Sequence, residues 1–118
     1  MATTTQDPRR VTARLSHARV TPRKLRSVVE LIRGKPVEIA LNNLRFCQRH
    51  GAPLVSKLLR SAVANAEANH DLDVDRLVVA EVRVDGGPTL KRFHSGPMGR
   101  GMRILKRTSH VSVVLTEK

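Results

Sequence analysis

Tryptophan and tyrosine are absent, and phenylalanine occurs twice, at Phe46 and Phe93. A folded core must therefore be built from Val, Leu, Ile and Ala. Readers of specific single-stranded sequences stack bases on exposed rings, and two Phe cannot make such a platform. Cysteine is nearly absent too: Cys47 stands alone, which excludes an intrachain disulfide and points to a reducing compartment. Cys47 and His50 have C-x-x-H spacing, but no second Cys/His pair sits at zinc-ligand spacing. Cys47 therefore reads as a small buried or half-buried thiol, and no metal or other cofactor is expected. No run approaches the ~20 apolar residues that span a membrane. The stretch MATTTQDPRR lacks the apolar segment of a secretory signal, so no membrane partner is expected.

Acidic residues are also scarce, 10 against 22 basic, for a formal charge of +12 and a pI near 11.5. Self-repulsion of that size destabilises a compact state unless an anion compensates it, and it is the footprint of a nucleic-acid binder. The scarcity is uneven. Residues 1–35 hold nine basic and two acidic residues, residues 67–85 hold six acidic and two basic, and residues 86–116 hold six basic and no acidic residue. Mixed charge on a solvated face explains the middle of the chain but not its two basic ends.

What is present suits one domain of 118 residues, 40% hydrophobic and 27% charged. Residues 1–10 are polar and Thr-rich and read as a loose arm. From Val11, V-T-A-R-L-S alternates apolar and polar residues, the period of a half-buried strand. Thr21-Pro22 opens a helix, because Pro is tolerated at the first helical position. Leu25, Val28, Val29 and Ile32 give it one apolar face, and Gly34 supplies its stop. Val37, Ala40, Leu41 and Leu44 predict a second helix ending near His50-Gly51. Pro53 opens a third, central helix with Val55, Leu58, Leu59, Ala62, Val63 and Ala66 at helical spacing and small residues that admit a close neighbour. After the acidic patch of Asp71, Asp73 and Asp75, RLVVAEVRV predicts a strand in which Ala80, Val82 and Val84 alternate with Glu81 and Arg83. HVSVVL, residues 110–115, predicts the last strand. The fold class is α+β: three helices packed on a small three-stranded antiparallel sheet.

Between the last two strands runs GPTLKRFHSGPMGRGMRILKR, far too long for a hairpin turn. It is expected to form a long protruding β-hairpin over about residues 86–108, turning near Gly96 to Gly101. Ten residues per arm at about 3.3 Å would project roughly 30 Å. Its few apolar residues cannot stabilise an isolated hairpin, so it is expected to be ordered mainly when bound. The domain reading is an arm over residues 1–10 and one globular domain over residues 11–118 that carries this hairpin.

No zinc-finger or RNP signature appears, which leaves recognition of phosphates and shape by Lys, Arg and backbone N–H groups. That suits folded RNA, and it also suits an architectural DNA binder with a β-arm. The candidate RNA-binding residues are Arg14, His17, Arg19, Arg23, Lys24, Arg26, Arg33 and Lys35 toward the start, and Lys57 and Arg60 on the third helix. Lys91, Arg92, Arg100, Arg103, Lys106, Arg107 and His110 complete the set. His17, His94 and His110 could donate to phosphate, and a plain surface role is equally open for each. GPMGRG is not G-x-G-x-x-G and does not join a strand to a helix, so no dinucleotide site is expected. Asp73 and Asp75 resemble a carboxylate pair, but no nucleophile, general acid or pocket signal accompanies them. They read as an acidic loop, and no enzymatic activity is expected.

Four stretches, TPRKLRSVVELIRGKPV, LLRSAVANAEAN, VDGGPTLKR and ILKRTSHVSVVL, together resemble the L-twenty-two family of large-subunit ribosomal proteins. The resemblance runs from about Thr12 through nearly the whole chain, with the blocks in the family's order and spacing. It implies a structural constituent of the large ribosomal subunit, cytoplasmic and within the ribosome, that binds 23S-type ribosomal RNA and supports subunit assembly. It implies neighbouring large-subunit proteins as partners and no homo-oligomer. It further implies that the hairpin runs inward and that its tip lines the nascent-polypeptide exit tunnel. By position, Phe93, His94, Ser95, Gly96, Pro97, Met98, Gly99 and Arg100 match that tip. Lys91, Arg92, Arg103, Lys106 and Arg107 match basic positions on its arms, and Arg23, Lys24, Arg33 and Lys35 match the family's TPRK and IRGK blocks. The family tip usually reads like P-R-A-R-G-R; here Gly96 and Met98 replace two arginines, so this tip is less charged.

Overall fold

Runs of alternating apolar residues bury one face when paired, and three such runs, far apart in the chain, form one antiparallel sheet. The computed structural model describes residues 10–117; the rest of the expected arm, residues 1–9, and Lys118 lie outside the described residues. In chain order the elements are β1 (Arg10–Ala18), α1 (Pro22–Val29), α2 (Val37–Arg45), α3 (Ala52–His70), β2 (Leu77–Gly86), β3 (Leu90–Ser95), β4 (Gly101–Lys106) and β5 (Ser109–Glu117). Arg10, expected in the arm, already pairs with Thr116 and belongs to β1.

The main sheet has the order β1-β5-β2, with β5 in the centre. Its inward side chains line up in rows. Val11, Leu115 and Val79 form one, Ala13, Val113 and Val82 the next, and Leu15, Val111 and Val84 the third. Val79, Val111, Val113 and Leu115 are fully buried. One face of the sheet packs on the helices while Thr12, Arg14 and Arg83 on the other face meet water, as antiparallel sheets allow.

The expected alternation in β2 fails at one residue. Leu77 and Val79 are buried, and so are Val82 and Val84, but Ala80 is exposed. The register shifts between Val79 and Glu81, leaving Ala80 as an extra residue. Such a bulge exchanges the inward parity of a strand, which lets odd positions before it and even positions after it share one face.

α1 also ends earlier than its apolar stripe. The helix stops at Val29, and Ile32, though fully buried, lies in tight turns closed by Leu31 N–H to the Val28 carbonyl and Ile32 N–H to the Val29 carbonyl. The edge of the sheet captures the chain at that point. Gly34 N–H donates to the Val79 carbonyl, and Val79 N–H donates to the Lys35 carbonyl, each at 3.0 Å. Gly34 turns with φ +75°, a conformation that favours glycine. α2 ends at Arg45 rather than near His50, and α3 begins at Ala52, one residue before Pro53. α3 buries Ala52, Val55, Leu58, Leu59, Ala62 and Ala66. No aromatic ring enters the core: Phe46 and Phe93 are both 78% exposed.

The long excursion is a two-stranded ribbon with its own sheet, β3 paired with β4. It does not continue the pairing of β2 with β5. Its arms have six residues each rather than ten, which gives an arm of roughly 20 Å at about 3.3 Å per residue. The ladder is interrupted where Pro88 has no N–H to give. Two bonds replace it: Gly87 N–H donates to the Thr108 carbonyl (2.9 Å), and the Thr108 hydroxyl donates to the Pro88 carbonyl (2.6 Å). A Cβ on Gly87 would lie 2.6 Å from the Thr108 hydroxyl oxygen, so glycine is what permits this close crossing.

Candidate nucleic-acid interface

Among the described residues, the ribbon presents its cations without counter-charges. Lys91, Arg92, Arg103 and Lys106 are exposed on its arms, Arg100 is exposed at its tip, and Arg107 is exposed at its base. Among the described residues the ion pairs are Arg10–Glu81, Arg33–Glu30, Arg76–Glu117 and Arg83–Glu81, and within that set no carboxylate neutralises a ribbon cation. In register, Lys91 sits opposite Leu105, Arg92 opposite Ile104 and Phe93 opposite Arg103. Cations therefore project from both faces of a pleated ribbon.

At the tip, Pro97–Gly99 forms a short 3-10 turn. Met98 and Gly99 have φ of 59° and 73°, and the Met98 side chain is almost wholly exposed. Gly96 N–H donates to the Arg100 carbonyl and closes the turn. The Phe93 ring occupies the space above Gly101 that a Cβ would fill. His94 and Ser95 are exposed on the last residues of β3.

A second group of cations surrounds a cleft of about 620 Å³ between the base of the ribbon and the body. Three segments line it: Arg19, Val20, Thr21 and Lys24 around the start of α1; Arg49, His50 and Gly51 in the turn before α3; and Leu105, Lys106 and Arg107 at the end of β4. Among the described residues no acidic one lines it. Arg49 and His50 escaped the sequence reading, which weighed His50 only as a metal ligand beside Cys47. Among the described residues no group of three or more His, Cys, Asp or Glu is placed to hold a metal ion. The missed signal is Gly51. A Cβ there would lie 2.6 Å from Leu25 Cδ2, so the α2–α3 turn presses onto α1 and carries Arg49 and His50 beside Lys24.

Other sequence candidates are engaged by the fold itself. Arg26 donates to the Val84 carbonyl (3.2 Å), and Arg33 donates to the Val82 carbonyl (3.0 Å) and pairs with Glu30. Both guanidiniums cover carbonyls of β2, an edge strand whose outer polar groups need partners. His17 sits at a register break in β1 with φ 58°. Its freed N–H donates to His110 Nδ1 (3.1 Å), and the two rings meet edge to face at 4.9 Å. The buried Ser109 hydroxyl donates to the Val20 carbonyl (2.6 Å). The KRTSH block thus divides: Lys106 and Arg107 face the cleft, while Thr108, Ser109 and His110 tie the ribbon base to the body.

The remaining candidates are spread apart. Arg14 lies on the wet face of the sheet, paired in register with Ser112. Lys57 and Arg60 lie on the exposed side of α3, away from the cleft lining. Arg23 is exposed in the first turn of α1, and Lys35 is half-buried against the β2 edge. Among the described residues, no helix is long and apolar enough to cross a membrane.

The profile of the family described as ribosomal protein L22p/L17e matches residues 13–116. The chain is 50% identical over 115 residues to the large ribosomal subunit protein uL22 of Caldicellulosiruptor saccharolyticus, covering 98% of this chain and 94% of that one. It is 58% identical to the uL22 of Geotalea daltonii, covering 91% and 96% of the two chains. It is 57% identical to that of Geobacter sulfurreducens, covering 90% and 96%.

Proposed function

The chain belongs to the ribosomal protein L22p/L17e family, a structural and not an enzymatic one, and from that premise we propose that it binds 23S-type ribosomal RNA within the large subunit. In this reading it works in the cytoplasm, as a ribosomal component that supports subunit assembly beside neighbouring large-subunit proteins. The observation that carries it is the positive charge of the ribbon and cleft, which no carboxylate among the described residues pairs. Each cation there can neutralise a phosphate without first breaking an internal ion pair, and the counterions released from RNA supply the driving force. The low aromatic content fits contact with backbone and shape rather than stacking on splayed bases.

The ribbon tip is the segment that faces the exit tunnel and the nascent polypeptide. Its narrow two-stranded form can pass between RNA helices. Its turn exposes Met98 and one cation, Arg100, a surface suited to a cavity wall more than to a phosphate clamp. The test is sedimentation. The tagged chain should co-migrate with large subunits after a high-salt wash and should prefer 23S-type RNA over duplex DNA in competition. Equal retention by DNA, with loss from subunits, would instead fit a general architectural nucleic-acid binder.

A further inference from the structure

Arg19, Lys24, Arg49, His50, Lys106 and Arg107 converge on one cleft whose two walls are the helical body and the base of the ribbon. Arg49 and His50 come from the α2–α3 turn, Arg19 and Lys24 from the start of α1, and Lys106 and Arg107 from the end of β4. The first turns of α1 and α3, at the body side of the cleft, carry no acidic residue. Among the described residues the ribbon has no strand pairing with the body. Across its base run the Gly87–Thr108 and Thr108–Pro88 bonds.

Like charges facing each other across an open cleft repel, and the repulsion acts to swing the ribbon away from the body. A polyanion in the cleft reverses the sign, because each phosphate is attracted to both walls at once. We propose that this cleft holds one bent stretch of RNA backbone, with Arg49 and His50 as phosphate-binding residues, and that filling it fixes the direction of the ribbon on the body. The inference rests on the RNA-binding reading above and adds to it a coupling: RNA held at the base sets where the tip points. A volume of about 620 Å³ with charge on two sides accommodates a turn of sugar-phosphate chain better than a single ion. Arg supplies the planar fork that grips phosphate oxygens, and His50 supplies a ring N–H.

The experiment uses the full chain with spin labels at Met98→Cys in the tip and Glu38→Cys on α2, in a Cys47→Ser background. Inter-label distances are measured by pulsed electron resonance, alone and with saturating 23S-type RNA transcript. The distribution should be broad without RNA and narrow with it. In Arg49→Ala/His50→Ala, RNA should still bind, about three- to tenfold more weakly, with the log–log salt slope reduced by about 0.7–0.9 for the arginine contact. Its distance distribution should stay broad when saturated, and Arg49→Lys should restore part of the narrowing. Thermal melting checks that the exposed substitutions leave the body folded. Narrowing that survives in the double variant overturns the coupling, as does a broad distribution in RNA-bound wild type. Narrowing by poly-glutamate but not by RNA would make the cleft a site for an acidic protein segment and also overturn it. Failure of wild type to bind the transcript at all would instead overturn the RNA-binding reading itself.

Discussion

In the body, aliphatic side chains from eight segments close on one another, and every cation that bonds across elements has a carbonyl or carboxylate to meet. In the ribbon, Leu90 and Ile104 are only half-buried, Phe93, Met98, Met102 and Leu105 stand in solvent, and among the described residues the cations have no carboxylate partners. Backbone pairing and a few exposed side-chain contacts such as Phe93 over Gly101 define the ribbon, and a two-stranded pairing is marginal in water. The same chain thus contains a part whose shape is set internally and a part whose charges need an external surface.

Hydrogen exchange should reveal the widest gap between them. Amides within residues 54–66 of α3 should exchange only through opening close to global, on the order of 5–15 kcal/mol, and those within residues 92–103 through local opening near zero. Equal protection would erase the distinction. Next in size, Leu59→Ala should destabilise the body by about 2–5 kcal/mol in urea unfolding, because Leu59 is fully buried and its loss leaves a cavity. RNA affinity per folded molecule should not change; a variant with wild-type stability would contradict the position of α3 in the core.

The ribbon counterpart is charge removal without unfolding. Changing Lys91, Arg92, Lys106 and Arg107 together to Ala should lower the log–log salt slope of RNA binding by about 3, at roughly 0.7–0.9 per phosphate. The melting temperature should stay within a few degrees of wild type, since all four are exposed. An unchanged slope would move the RNA contacts to the cations of the first third of the chain. The smallest effect belongs to the tip. Deleting residues 95–100 removes one cation, so the slope should fall by no more than about 0.7–0.9. A larger loss would make the tip an RNA-gripping element rather than a cavity wall.

The apolar periodicity made the helices, the sheet strands and their inward faces legible, because burial of Val, Leu and Ile is decided by spacing. What the spacing could not reveal was geometry imposed from elsewhere in the chain. Ala80 turns outward because a bulge resets the parity of β2, and α1 stops early because the β2 edge takes the backbone of Gly34 and Lys35. The cations were legible as a set but not in their duties. Nothing local to Arg26 or Arg33 says that a distant carbonyl awaits it, and nothing in the turn before α3 says that Arg49 will face Arg107 across a cleft.

The central position of β5 has a consequence for how the molecule comes into being. β1 and β2 each pair with β5 and not with each other. The bond between Val20 and Ser109 alone spans 89 positions of sequence. During synthesis the helices and both outer strands emerge before the strand that joins them exists. The early chain can collapse its helices but cannot complete its sheet, and its two unpaired strand edges stay open to wrong partners until the last segment arrives. Non-local pairing of this kind is slow and prone to aggregation. In that interval the surplus positive charge keeps growing chains apart, so the charge proposed to grip RNA in the finished protein would first protect the unfinished one from its own copies.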